Sequence, residues 1–325
     1  MISASGSSSA VAHDRLHFIV CRDVMTNCSS RRRFILSSGL TAGAAIVAAG
    51  IRSEANGAIV ETKIKMPGLR ELELFDSCVT LGRFSAATCI ASPEHLLSTM
   101  DRYMIAEALV HDYHARSVYP MEHGNRRVLD MVRNQPRLHP VWVLDPPIQP
   151  GRKPAEELVD DMLASGVRAA RLRLGIKGNL PWVWEDLFIV LEAHRIPCFL
   201  DFGPPESTQG SLTDQDMEAL HIIVQAHPHL PLILSHVMGG VGIHPAAIYL
   251  IHRSANLHLD VSGILEYWRN VAYKVGPERV LFATGMPFTD PGILVSNVQY
   301  TLGLDETAKK LICGGNLRRL MREVK

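Results

Sequence analysis

The 325-residue chain has no surplus of either charge, because lysine plus arginine and aspartate plus glutamate both number 33. Such a balance gives no electrostatic reason to bind nucleic acid or an anionic membrane surface, and leaves a small molecule as the expected partner. None of its six cysteines forms a Cys-x-x-Cys pair, so neither a zinc knuckle nor a thioredoxin-like site is signalled. The apolar stretch Leu36 to Ile51 covers about 16 residues and is diluted by Ser and Gly, short of the ~20 that span a bilayer. "EHGNRR" at Glu122–Arg127 is an Asn-led helix start after a Gly, not a phosphate loop. The last shortage is local. In "RVLFATGMPFTDPG", Arg279 to Gly292, an apolar strand runs into Thr284, Gly285 and Met286, so nothing at its C-terminal end can ionise.

With 47% hydrophobic and 20% charged residues the chain can bury a large core. Its start differs from the rest. "SSRRRFILSSGLTAGAAIVAAGIRSEANGA" places Arg31, Arg32 and Phe34 before an Ala/Gly-rich apolar run, the layout of a twin-arginine export signal. Small residues around Ser53–Ala55 suit a signal peptidase, with cleavage expected near Ala55; a membrane anchor or basic tail is the alternative. Met25 would give a signal of more usual length than Met1. The expected organisation is therefore a signal region, 1–58, and one domain, 59–325, exported to the periplasm with no membrane span left after cleavage. A homo-oligomer is left open.

Residues 59–325, about 267 in number, approach the ~250 typical of a (β/α)8 TIM barrel. From Leu72 onward eight β-rich segments alternate with helical patterns: "LELFDSCV", "EALVHDY", "HPVWVLD", "VRAARLRL", "PCFLDFG", "PLILSHV", "LHLDVSG" and "RVLFATG". Helices are predicted over Pro93–Ala106, Asn125–Asn134, Ala155–Ala164, Trp182–His194, Asp214–Ala226, Pro245–Arg253, Ile264–Val275 and Gly292–Leu302, with a closing helix from Glu306. No linker divides them. A doubly wound sheet is the alternative, but eight consecutive βα units favour closure into a barrel of α/β class.

In a barrel the chemistry belongs at the C-terminal strand ends. Those ends carry Cys78 and Thr80, His111, Asp145, Arg171 and Arg173, Asp201, His236, Asp260 and Ser262, and Thr284 with Gly285. Buried polar groups at one rim are costly unless paired, which points to a site, although Arg173 with Asp145 or Asp201 could form structural pairs. Arg171 and Arg173 share one side of their strand and Leu172 and Leu174 the other. If the arginines face inward they can clamp a substrate carboxylate; if outward, the leucines line the cavity. His111 and His114 are spaced for metal binding but read better as one pocket and one loop residue. The Trp182/Trp184 pair reads as core or subunit contact.

These segments resemble the amidohydrolase-related branch of the metal-dependent hydrolases. "FDSCVTLGR" is similar to that family's first-strand motif D-x-H-x-H-x-G, "LPLILSHVMGG" to its sixth strand, "ANLHLDVSG" to its seventh, "GPERVLFATGMPF" to an eighth strand that usually reads G-S-D-x-P, and "LICGGNLRRLM" to its C-terminal helix start. The resemblance implies a divalent metal held by two first-strand histidines, a strand-five histidine and a strand-eight aspartate. Here those positions hold Cys78, Thr80, Asp201 and Gly285, while His236 matches the strand-six histidine.

The expectation is an enzyme without a resident cofactor, with zinc held by Cys78, Asp201 and His236 as the alternative. His236 and Asp201 are the expected acid/base residues; Arg173, Arg171, His111 and Asp260 are the expected substrate contacts. The expected reaction is hydrolysis of a lactone, ester or amide, or non-oxidative C–C cleavage, on a small carboxylated substrate. The rival expectation is an inactive barrel kept as a small-molecule binding or scaffold protein.

Overall fold

In the computed structural model, strand and helix alternate along the chain as their apolar periodicity predicts. It describes residues 54–55, 58–59, 68–83, 90–117, 120–147, 152–178, 180–202, 212–235, 243–262, 264, 268–301 and 303–325. The chain divides into two compact units, Met1–Lys65 and Met66–Lys325. In the first, Glu54–Ala55 and Ala58–Ile59 pair as short antiparallel strands. The twin-arginine motif and the apolar run after it lie outside the described residues.

Among the described residues the second unit carries eight barrel strands, β1 (Leu74–Arg83), β2 (Ile105–Asp112), β3 in two pieces (Leu138–Pro140 and Trp142–Leu144), β4 (Ala170–Leu172), β5 (Cys198–Asp201), β6 (Leu232–Ser235), β7 (Leu257–Asp260) and β8 (Val280–Leu281), and a two-residue strand, Ile90–Ala91, that pairs antiparallel with the end of β1. Successive strands pair in parallel from β1 to β8. β3 breaks at Pro140, which has no N–H for the ladder. Its first piece pairs with β2 and its second with β4, and Val141 bridges them by donating to the Val110 carbonyl at 2.8 Å.

β8 closes the ring onto β1. Ser77 N donates to Phe282 O at 3.0 Å, Gly285 N to Cys78 O at 3.0 Å and Thr80 N to Met286 O at 2.8 Å. The chain is thus an α/β barrel.

Strand side chains alternate between two environments. Leu74, Val79, Leu81, Leu172, Leu200, Leu234 and Leu259 face the helices and pack with residues such as Leu187, Leu220 and Ile251. Phe75, Leu109, Val141, Ala169, Phe199, Ile233 and Leu281 fill the lower interior, where Leu317, Leu320 and Met321 of the C-terminal helix Asn316–Arg322 cover them. Burying each large side chain contributes about 1.5–3 kcal/mol. Asn316 pins that helix by donating to the carbonyls of Pro277 and Val280 at 2.8 and 2.9 Å.

Helices Ala155–Ala164, Asp214–Ala226 and Pro245–Arg253 begin and end where the sequence predicts. The second of these starts with a capping box between Thr213 and Asp216. Other helices differ at one end or both: the predicted Trp182–His194 lies at Pro181–Ala193, Gly292–Leu302 at Pro291–Tyr300, and Ile264–Val275 at Trp268–Val275. The predicted Pro93–Ala106 helix ends at Tyr103, because Met104 turns left-handed at φ +57 and caps it. The predicted Asn125–Asn134 helix begins earlier, at Met121. Gly124 is not its boundary but a close contact, since a Cβ there would lie 2.4 Å from the Ala115 nitrogen.

Candidate active site

The upper interior is charged, and its groups reach it from several strand ends. Arg171 and Arg173 both point inward from β4 and its end, as the alternation with outward Leu172 requires, and both are buried. The Arg171 guanidinium lies 5.0 Å above the Phe199 ring, at the boundary with the apolar lower half.

Arg171 Nη1 donates to Asp201 Oδ1 at 2.6 Å and to Ser235 Oγ at 3.2 Å, and Nη2 reaches Cys78 Sγ at 3.5 Å. The other Asp201 oxygen accepts from Arg116 Nε at 3.0 Å. Ser235 donates in turn to Asp260 Oδ2 at 2.5 Å, while Asp260 Oδ1 accepts from the Ser262 hydroxyl and amide at 2.5 and 3.0 Å. Arg173 grips Asp145 through Nε at 2.9 Å and through Nη2, and gives Nη1 to the Arg116 carbonyl at 3.2 Å. His111 Nε2 lies 2.9 Å from Thr80 Oγ1.

The arrangement brings Asp201, Arg171 and Asp260 into one network through Ser235, and sets Arg173 with Asp145 beside it. His111 is buried at the end of β2 next to Thr80, while His114 sits in the short helix Tyr113–Ser117, where the His114 and Ala115 amides donate to Asp112 Oδ1 at 2.8 and 3.2 Å. His236, the residue after β6, lies outside the described residues. Of the tryptophans, Trp184 is buried and donates to the Gly178 carbonyl at 2.8 Å, whereas Trp182 is 72% exposed.

Sequence reasoning missed Arg116. It sits in a five-residue helix, too short for a periodic signal, and its only cue is its place just beyond the end of β2. Asp76 was also read as a motif letter only. Its carboxylate crosses the β1–β8 seam, accepting from Thr284 Oγ1 at 2.5 Å, Thr284 N at 2.9 Å and Cys78 N at 3.1 Å. Burial raises Asp76 from 3.8 to about 7 against the pull of these bonds.

Among the described residues, those at the family's ligand positions do not fit a divalent ion. Cys78 and Asp201 both bond Arg171, and burial pushes the Cys78 thiol up to about 12. Thr80 is taken by His111, and Gly285 lacks a donor side chain. Among the described residues no cluster of three or more His, Cys, Asp or Glu side chains could hold a metal.

The fold and the charged groups at the C-terminal strand ends define an α/β barrel built on the plan of barrel enzymes. The chain belongs to the amidohydrolase family, whose model matches residues 89–322. That match starts after β1, so the altered first-strand motif falls outside it. Similar solved structures include a 2,6-dihydroxybenzoate decarboxylase from Rhizobium (15% identity over 77% of this chain and 98% of that one, TM-score 0.55). Others are a dihydroxybenzoic acid decarboxylase from Polaromonas with bound manganese and 2-nitroresorcinol (14%, 77% and 96%, 0.56) and a proposed 2-pyrone-4,6-dicarboxylic acid hydrolase from Pseudomonas putida (14%, 78% and 98%, 0.57). At these identities the likeness is one of fold. No curated protein sequence matches the chain.

Proposed function

We propose that this barrel acts on a small carboxylated substrate by non-oxidative C–C cleavage or by hydrolysis of an activated lactone or ester, without a resident metal. The observation that carries this reading is the convergence of Thr80, His111, Asp145, Arg171, Arg173, Asp201 and Asp260 on the C-terminal end of a barrel of this family. Names of the similar structures, decarboxylases and a pyrone dicarboxylate hydrolase, support the substrate class.

His236 is the proposed acid/base. Asp201 is proposed to work with it through the network: a proton delivered there has to displace a bond to Arg116 or Arg171, so Asp201 orients more readily than it accepts. Arg171, Arg173, His111 and Asp260 set the shape and charge of the interior that a carboxylate would meet. Positioned acid/base groups contribute about 10²–10⁴-fold each, enough for an activated substrate and too little for an unactivated amide. Export by the twin-arginine route, with a mature start near Ala55, is part of the proposal and is tested by sequencing the mature N-terminus.

One observation favours a binding or scaffold protein instead: Arg171 and Arg173 are already matched by Asp201 and Asp145. Turnover assays over carboxylated aromatics, lactones and esters, with and without added zinc or manganese, separate the readings. The enzyme reading expects turnover that His236→Ala removes. It fails if no substrate turns over and His236→Ala changes nothing measurable.

A further inference from the structure

Two of the places where the family resemblance puts metal ligands, Cys78 on β1 and Asp201 on β5, turn their donor atoms to one group, the Arg171 guanidinium. Ser235, the residue before His236, bonds the same guanidinium and passes it the charge of Asp260. The donors of three strands thus surround a cation that the fourth strand supplies. Arginine is planar, offers five N–H donors and stays charged across the pH range of proteins.

We propose that the Arg171 guanidinium is the resident cation of this barrel, standing where the family's divalent ion would be held. This deepens the metal-free part of the proposed function, and it turns on charge and packing, not on turnover. Three observations carry it. The contacts are those of hydrogen bonds, 2.6 Å to oxygen and 3.5 Å to sulfur, where zinc would need about 2.0–2.3 Å. Phe199 closes the underside of the guanidinium at 5.0 Å, so a ligand sphere cannot be completed from below. Among the described residues the charges in contact also balance: Arg116, Arg171 and Arg173 face Asp145, Asp201 and Asp260, while burial raises the neighbouring Asp76 toward its neutral form.

The exchange has a chemical consequence. Zinc brings the pKa of a bound water down to about 7, whereas a guanidinium holds carboxylates in place but generates no hydroxide. Proton transfer in this barrel then falls to side chains.

The test uses the full chain purified without chelator, zinc and manganese as separate probes, and metal content and melting temperature as readouts. Expected are sub-stoichiometric metal after incubation with either ion and a melting temperature that neither the ions nor EDTA moves. Arg171→Lys keeps a charge but cannot reach Asp201, Ser235 and Cys78 together, so its melting temperature should fall by roughly 6–15 °C. Arg171→Ala should fall further and recover in part with millimolar guanidinium chloride but not with sodium chloride. One equivalent of tightly held metal in the wild type, lost to EDTA with a falling melting temperature, overturns the proposal. So does an Arg171→Lys protein as stable as wild type. Should Arg171→Ala fail to fold, the wild-type metal measurement and the lysine variant still decide. An inactive but metal-free and EDTA-indifferent protein leaves this proposal standing while the enzyme reading falls.

Discussion

Thr284 donates both its amide and its hydroxyl to the carboxylate of Asp76, tying the end of β8 to β1 where the barrel closes. Burial holds Asp76 at about 7 in the folded chain against 3.8 unfolded. A raised carboxyl favours folding below pH 4, and that advantage is lost as pH rises from about 4 to 7, to an extent of order 4 kcal/mol. Asp76→Asn keeps an acceptor for the two amides and removes the titration. Its stability relative to wild type should rise steadily between pH 4 and 8 in denaturant unfolding. A constant difference across that range would contradict the assignment.

His258 has the opposite sign. It is buried on β7 with neither ring nitrogen in a well-formed hydrogen bond. Burial lowers it to about 4, aided by Arg279 and Arg319, against the carbonyls of Asn256 and Leu232. The stability it allows is present above pH 6.5 and lost as pH falls toward 4, by up to about 3 kcal/mol. His258→Leu should remove this acid sensitivity. Because Asp76 and His258 oppose each other over nearly the same window, the leucine variant should lose stability as pH rises from 4 to 7, and Asp76→Asn should gain it. Parallel pH profiles for the two variants would refute both signs.

Asp145 is the sole carboxylate bonded to Arg173 among the described contacts. Asp145→Ala should destabilise the chain by about 3–5 kcal/mol, since it strands a buried guanidinium. Asp145→Leu with Arg173→Met should lie much closer to wild type. Chemical denaturation of the two variants beside wild type checks this, and a double variant less stable than the single one would rule it out.

Gly285 stands at φ +70, where L-residues are strained, and its amide bonds the Cys78 carbonyl across the seam. Gly285→Asp should cost about 1–2 kcal/mol in backbone strain. The new carboxylate, next to Ser262, also comes near Asp260. Acidification should therefore narrow the deficit, while zinc should not raise the variant's melting temperature. A large zinc-dependent rise would show that Cys78, Asp201 and His236 already form a ligand set.

The barrel was legible because its cues are repeated. Eight short apolar segments with helices between them admit few topologies, and even β8, only two residues long as a paired strand, was marked by "RVLFATG". The site was legible by position and less so by partnership. Alternation along β4 places Arg171 and Arg173 on one side, yet nothing in the chain's order says that Arg171 meets residues far before and after it. Arg116 escaped notice for the same reason: its partner Asp201 is on another strand, and the helix that aims it is too short to leave a pattern.

The distribution of these partners also decides how the molecule can fold. Arg116 and Arg171 lie in the first half of the barrel, but the carboxylates that match them, Asp201 and Asp260, come from β5 and β7. Asp76 likewise waits for Thr284. A half barrel ending after β4 would hold two arginines with no counter-charge and an open seam. A chain cut after β4 should therefore lack both the matched charges and the closed seam of the complete barrel, and be far less stable than the full chain in denaturant unfolding.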